Sequence, residues 1–449
     1  MTDSLAQGAQ DTTDRPFALV NRHGCRLEDV LLSKKNNRGK AMDLSYGSEY
    51  DAFREEVKSF VRSNKHKQPQ LGDGIKSQAM RDWQRLLIEH GYHSRTIARE
   101  YGGYGAEPDI IKSRIIAEEF GAERVHRGFN GQGVTMLTPV LLEMGTEEQK
   151  KAFVEPTIKA EMIWCQGYSE PGAGSDLASL TTKAELDGEE WVINGQKIWT
   201  STAHHADWIF CLVRTEADAP KHLGISFLLF RMDTPGIEIR PLVDMTGDAN
   251  FNEVFFTDVR VPKHQIVGQR GQGWQVANAI LGHERGSLAT PDAAMNRLNG
   301  VKRLMREESI NGEPVMSNAV FRDRLMKLEG RALAMQYNDM RLLSAKINKN
   351  QNVRLAGMIV KLIGTELRHE IECLGIDVMG EIGLSYGDNP HKRGHGSWQY
   401  QYMFYLGLII GGGTSQIQKN IISERGLGMP KEPKIPSKTA VPKTAVREA

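Results

Sequence analysis

The chain has 449 residues, with 57 Lys+Arg against 56 Asp+Glu, 40% hydrophobic residues and 45 glycines. A net charge of +1 supplies no field to gather nucleic acid or an anionic membrane surface, and the longest apolar stretch, Met403 to Ile410, is far short of a membrane span. Cys25, Cys165, Cys211 and Cys373 lie far apart with no C-x-x-C pair, which argues against a zinc knuckle or disulfide scaffold and fits a reducing, cytoplasmic setting.

Residues 1–41 mix Asp3, Asp11, Asp14, Glu28 and Asp29 with scattered bases, unlike a transit or signal peptide, and read as a disordered extension. From Ser48 the pattern turns helical, with Phe53, Val57, Phe60 and Val61 on one stripe. Met80, Trp83, Leu86 and Leu87, then Ile110, Ile111, Ile115 and Ile116, mark two more amphipathic helices, and Thr146-Glu-Glu-Gln149 is a capping box that opens a fourth. Residues 42–162 therefore read as an α-helical domain.

Between Ile163 and Val267 the period changes to short β-branched and aromatic runs: Trp191 to Trp199, Trp208 to Val213, Ile225 to Phe230, Ile237 to Leu242 and Val254 to Val261. Asp187-Gly188 is a hairpin signal between two such runs. The spacing predicts a central β domain over 163–270. Helical periodicity returns near 274–289, 318–347, 353–379 and 415–426, so 271–429 reads as a C-terminal helical unit. Pro430 to Ala449, with four prolines and almost no large apolar side chains, reads as a disordered tail.

Several chemical signals are weak. Gly268-Gln-Arg-Gly271-Gln-Gly273 has the wrong spacing and no βαβ context for a nicotinamide site. His204-His205 with Asp207 could hold a metal, but adjacent residues on an extended segment point to opposite faces. A solvated turn is the better reading, and no metal is expected. Gly167-Tyr-Ser169 lacks the second glycine of a nucleophile elbow.

Three stretches are stronger. Cys165-Gln-Gly-Tyr-Ser-Glu-Pro-Gly-Ala-Gly-Ser-Asp176 describes a loop whose backbone passes close to something, with a plain turn as the alternative. Asn194-Gly-Gln-Lys-Ile-Trp-Thr-Ser-Thr202 puts an indole next to three hydroxyls at a strand end, which suits a planar ring needing stacking and hydrogen bonds. Core packing of Trp199 is the alternative there. Gly411-Gly-Gly-Thr-Ser-Gln416 offers open backbone and Thr/Ser caps before a helix, a cradle for pyrophosphate or simply a structural loop.

Glu284 is the most informative single residue. Ala277, Ile280, Leu281 and Leu288 place it on the apolar stripe of its helix. A carboxylate there is either paired with a cation for structural reasons or is a base held dry for chemistry.

Together these stretches resemble the acyl-CoA dehydrogenase family over about residues 43–429. Ser169-Glu-Pro-Gly-Ala-Gly-Ser-Asp176 is similar to its first signature and Asn194-Gly-Gln-Lys-Ile-Trp-Thr-Ser201 to its flavin-side strand. Thr234-Pro-Gly-Ile237, Asn252-Glu-Val-Phe-Phe256 and Val259-Arg-Val-Pro262 resemble its linking strands, and Gly413-Thr-Ser-Gln-Ile-Gln418 its C-terminal flavin loop. The implied fold is multidomain α+β: an N-terminal α-helical domain, a central β-barrel-like domain and a C-terminal four-helix bundle.

The resemblance implies FAD, bound through Gln166, Tyr168, Ser169, Trp199, Thr200 and Ser201 at the ring and Thr414 and Gln416 at the pyrophosphate. It places Ser175 and Arg285 along the CoA arm of an acyl-CoA substrate and makes Gly412 a backbone donor to the thioester. Many members carry Glu where this chain has Gly412. In the branch resembling isovaleryl- and long-chain acyl-CoA dehydrogenases the base comes instead from a helical Glu-Arg pair, which Glu284-Arg285 matches. The implied reaction is α,β-dehydrogenation to the trans-2-enoyl-CoA in lipid catabolism or β-oxidation, with an electron-transferring flavoprotein as acceptor and a dimer or tetramer as the assembly.

Two departures concern the subunit interface: Arg306-Glu-Glu-Ser-Ile-Asn-Gly312 replaces the usual Arg-x-x-Phe-Gly, and Met403-Phe404 the usual Arg-Asp. A heteromer with a homologous chain, in which this one is a non-catalytic partner subunit, is one rival reading. A flavin monooxygenase or nitroalkane oxidase on the same scaffold is another.

Overall fold

The computed structural model describes residues 46–70, 72–287, 291–347, 353–387 and 390–431, with side chains at all of them except 284–287 and 346–347. The expectations for 1–41 and for nearly all of 430–449 lie outside the described residues. The chain divides into two compact units between Val57 and Lys58. The first, described from residue 46, holds a 3-10 turn at Ser48–Tyr50 and the opening turns of α1 (Asp51–Asn64).

The second unit begins with the rest of α1 and continues through α2 (Gln78–Glu89), α3 (Ile110–Ala122), α4 (Thr138–Met144) and α5 (Glu147–Ile158). Caps start three of these helices: Ser77 accepts from the Met80 N–H, Asp109 from Lys112, and Thr146 and Gln149 close the full capping box. A π-turn, Gly133–Leu137, runs directly into α4.

Seven strands follow: β1 (Trp164–Gly167), β2 (Lys183–Asp187), β3 (Glu190–Lys197), β4 (Trp208–Arg214), β5 (Ile225–Arg231), β6 (Ile237–Leu242) and β7 (Phe251–Pro262). They form a single curled half-barrel in the order β1-β4-β2-β3-β7-β6, with β5 on the other side of β4. The expected hairpin closes with Asp187 opposite Glu190 and Gly188 at φ +62°. β4 is buried on both faces, Phe210 and Leu212 in a core shared with α4, α5 and α6, Ile209 and Val213 in the interior of the half-barrel. That is why its sequence reads as a continuous apolar run instead of alternating.

The C-terminal region comprises α6 (Gly273–Ser287), α7 (Pro291–Glu307), α8 (Ala319–Ile347), α9 (Arg354–Met379), α10 (Ser397–Ile410) and α11 (Ser415–Ile421). α9 packs against α7, α8 and α10, around Leu298, Val301, Leu367, Ile371 and Trp398. Two of these helices, α7 and α10, are absent from the sequence reading. Pro291 looks like a terminator but sits at the first helical position, where its fixed φ suits a helix start. α10 is apolar on every side, so it carries no 3.6-residue alternation to detect. The segment expected as one helix to residue 426 changes after Ile421 into a π-turn, Ile422–Gly426.

Candidate active site

The first cluster forms where β1 and β3 end. β3 slips register against β7 between Ile193 and Gly195, and the chain then turns sharply at Trp199, a non-glycine residue at φ +59°. The turn is pinned on both sides. The Thr200 N–H donates to the Asn252 carbonyl at 3.0 Å and the Asn252 side-chain amide returns a bond to the Thr200 carbonyl at 2.9 Å. The Ile198 N–H donates to the Ser169 carbonyl at 2.9 Å, which joins the two signature stretches.

Beneath this turn lies an ion pair. Lys197 Nζ is 2.8 Å from Glu170 Oε1 with both side chains buried, and it also donates to the Tyr168 carbonyl at 3.2 Å. Glu170 further accepts from the Thr181 N–H and hydroxyl, each at 2.7 Å, and from the Thr182 N–H at 2.9 Å. Burial pushes its carboxyl up, but the Lys197 charge and these hydrogen bonds outweigh it and hold the group at about 2.

What this scaffold presents is an aromatic face and unused polar atoms. Trp199 is 58% exposed, with Phe251 edge-on at 5.9 Å as its ring neighbour, so the core-packing alternative does not apply. Thr200 Oγ1 and Gln132 Oε1 are buried without a hydrogen-bond partner, and Gln132 Nε2 reaches Gln166 Oε1 at 3.4 Å. An exposed indole followed in the chain by an orphaned buried hydroxyl fits a flat polar ring such as an isoalloxazine. Gln166, Ser169 and Ser201 are half-buried here, Tyr168 is buried and Ser175 is exposed on the loop beyond.

The second cluster is the α10–α11 connection. Gly412 and Gly413 have φ of +65° and +96°, and a Cβ at 413 would lie 2.7 Å from Gln418 Nε2. Thr414 Oγ1 accepts from the Ile417 N–H at 3.2 Å, leaving its own hydroxyl proton free to donate, and Gln416 is exposed. Glu284 and Arg285 lie on the last turn of α6. Glu284 falls four residues after Ile280 and seven after Ala277, both fully buried.

The paired histidines lie on an exposed turn, the reading favoured over a metal site. They sit on a 3-10 turn, Ala203–His205, and not on an extended segment, with ring centroids 4.1 Å apart. His204 Nδ1 bonds Asn252 Oδ1 at 3.0 Å, and the described residues hold no group of three or more metal-ligating side chains. Sequence reasoning missed Gln132, which reaches the Gln166 side chain from a loop, and Lys361, which donates to the Ile409 and Gly413 carbonyls. A glutamine or lysine partnering a carbonyl leaves no mark in periodicity or motif spacing.

Family models for the acyl-CoA dehydrogenase N-terminal, middle and C-terminal domains match residues 47–161, 165–259 and 271–427. The chain is 38% identical over 360 residues to the acyl-CoA dehydrogenase IpdE1 of Mycobacterium tuberculosis, covering 79% of this chain and 89% of the relative. It is 29% identical over 349 residues to the human mitochondrial short-chain specific acyl-CoA dehydrogenase, covering 74% and 79%. Among solved structures, the Tcur3481-Tcur3483 steroid ACAD superposes with a TM-score of 0.73 at 28% identity, over 87% of this chain and all of that one. The ChsE4-ChsE5 complex from Mycobacterium tuberculosis gives 0.72 at 26%, over 87% and 100%. With all three domains matched in order over the half-barrel and its flanking helices, the chain belongs to the acyl-CoA dehydrogenase family, FAD-dependent oxidoreductases that act on acyl-CoA thioesters.

Proposed function

We propose that the chain removes the α-proton of an acyl-CoA with Glu284 and yields the trans-2-enoyl-CoA. The observation that supports this reading is the turn at Trp199, where a strained, exposed indole directly precedes Thr200, whose hydroxyl oxygen is buried without a partner. In this reading Gln166, Tyr168, Ser169, Trp199, Thr200 and Ser201 hold the flavin ring, Thr414 and Gln416 its pyrophosphate side. FAD, when bound, supplies the acceptor for the β-hydride.

The chain's own residues do the rest. Glu284, which the sequence pattern places on the apolar stripe of α6, takes the α-proton as general base. The Gly412 N–H receives the negative charge that gathers on the thioester oxygen, a role open to glycine because it needs only backbone. Arg285 and Ser175 contact the CoA arm.

The domain limits follow the same reading, with 42–162 and 271–429 enclosing the β domain of 163–270. An electron-transferring flavoprotein is the acceptor, and the assembly is a symmetric oligomer or a pairing with a homologous chain. The ChsE4-ChsE5 complex, built from two different chains, supports the second form. No helix among the described residues is long and apolar enough to cross a membrane.

The test is Glu284→Gln, which keeps size and hydrogen bonding and removes basicity. Turnover on the best substrate from a panel of straight, branched and ring-bearing acyl-CoAs should fall by about 10²- to 10⁴-fold, with FAD content unchanged. Near-wild-type turnover would make the carboxylate a structural partner and move the base elsewhere.

A further inference from the structure

The glycine run between α10 and α11 needs an external restraint. Three successive glycines have no Cβ to limit their peptide planes, and two of them lie in the left-handed region. An N–H that must meet a thioester oxygen in one orientation cannot be left on such a segment.

The restraint comes from α9. Lys361 is 2% exposed, and its Nζ donates to the Ile409 carbonyl at 2.9 Å and to the Gly413 carbonyl at 2.6 Å. These two acceptors bracket the run: one closes α10, the other precedes the Thr414 cap. The Ile409 carbonyl is among the last four of its helix, the negative end of the dipole, where a cation is favoured. Gln418 Nε2 holds the Gly412 carbonyl between them at 3.0 Å, and the Gly411 N–H closes on the Gly407 carbonyl at 2.7 Å. The peptide planes immediately before and after the one that carries the Gly412 N–H are thus each tied to a neighbour, and of these restraints Lys361 is the one that grips both ends of the run.

We propose that Lys361 is a positioning residue for the reaction: its ammonium staples the Ile409 and Gly413 carbonyls and so fixes the Gly412 N–H that receives the thioester oxygen. The role rests on the acyl-CoA reading of the site. It requires no contact between Lys361 and substrate, and it predicts that the lysine affects the chemical step and not binding. A shorter or apolar side chain leaves the helix end intact but lets the glycine peptides rotate.

Lys361→Met, in the full-length flavin-loaded protein, tests this in two ways. Hydrogen–deuterium exchange should rise about 10-fold in peptides covering 407–416 and stay unchanged in the β domain, a readout that needs no turnover. With an acyl-CoA that the wild type oxidises, kcat should fall by about 10- to 100-fold, less than for loss of a whole oxyanion donor, while KM changes by less than about 2-fold. Lys361→Arg, which retains donors and charge, should recover most of both effects. If the Met variant does not fold, Lys361→Gln, with one shorter amide donor, gives the same two readouts at smaller amplitude. Unchanged exchange at 407–416, or a loss expressed in KM with kcat intact, overturns the proposal. A wild-type protein that binds FAD but oxidises no acyl-CoA removes the reaction reading and this role with it, even if the exchange shows the clamp.

Discussion

Lys197 and Glu170 form a buried pair at 2.8 Å that ties the end of β3 to the start of the Ser169–Asp176 loop. The pair sits directly under the Trp199 turn, and the same ammonium also holds the Tyr168 carbonyl. Removing one partner strands the other charge in the interior, which typically costs about 3–5 kcal/mol. Lys197→Met should therefore lower denaturant stability by that order, and Lys197→Met/Glu170→Gln should recover part of it. Equal losses in the single and double variants would show that the charges are not coupled. Glu170 is held at about 2, so the wild-type advantage should be full above the unfolded value near 4.5 and should shrink as pH falls toward 2.

Trp199 makes the opposite prediction, because its ring lies outside the core and, in the proposed reading, stacks on the flavin. Its positive φ costs about 1–2 kcal/mol for a residue with a Cβ, and its ring is largely in solvent. Trp199→Gly should leave the melting temperature of the FAD-free protein unchanged or raise it slightly. Retention of FAD on desalting should fall by at least about 10-fold, since the stacking face is gone. A drop in FAD-free stability with normal FAD retention would return the indole to a structural role.

The α-β-α order and most strand limits were legible because patterning is local: the runs at 208–213 and 237–242 differ from β4 and β6 by at most one residue. The Thr146 capping box was readable for the same reason. What escaped depends on long-range contacts. α10 is apolar all round and declares its helix only through packing with α9, and Lys361 looks like any lysine until α10 ends above it. Trp199 shows the middle case. Its motif pointed to a ring-binding turn with core packing as the alternative, and only its exposure removes that alternative.

Gly413 should resist substitution for two independent reasons. Its φ of +96° disfavours any Cβ, and a Cβ there would meet Gln418 Nε2 at 2.7 Å. That amide cannot retreat without releasing the Gly412 carbonyl. Gly413→Ala should fold, because the strain is confined to a surface connection, but with about 1–3 kcal/mol less stability and kcat reduced at least about 10-fold. Wild-type kcat in a folded Gly413→Ala protein would mean that the precise path of this loop does not matter to the reaction.

His93 should make the protein acid-sensitive in a defined window. Its ring is buried beside Gln84, donates through Nε2 to Asn130 Oδ1 at 3.2 Å and pairs through Nδ1 with Ser94 Oγ at 2.9 Å, and so supports the loop that leads to Gln132. Burial pushes the imidazole down to about 4, the Arg127 charge adds to the drop, and the bonds to Asn130 and the Phe129 carbonyl only partly oppose it. The folded protein therefore keeps a neutral ring in weak acid while the unfolded chain takes a proton near 6.5. The unfolded state binds more protons between those values, so stability is full above about pH 6.5 and is lost as pH falls through about 4. At pH 5 the loss from this one residue should be about 2 kcal/mol. His93→Gln has no such titration, so the stability gap between wild type and variant, measured by urea unfolding, should narrow by that order from pH 7.5 to pH 5. Glu170 does not confound this comparison, because its own window lies lower. A gap that stays constant across that range would mean that the His93 ring takes its proton as readily in the folded protein as in the unfolded chain.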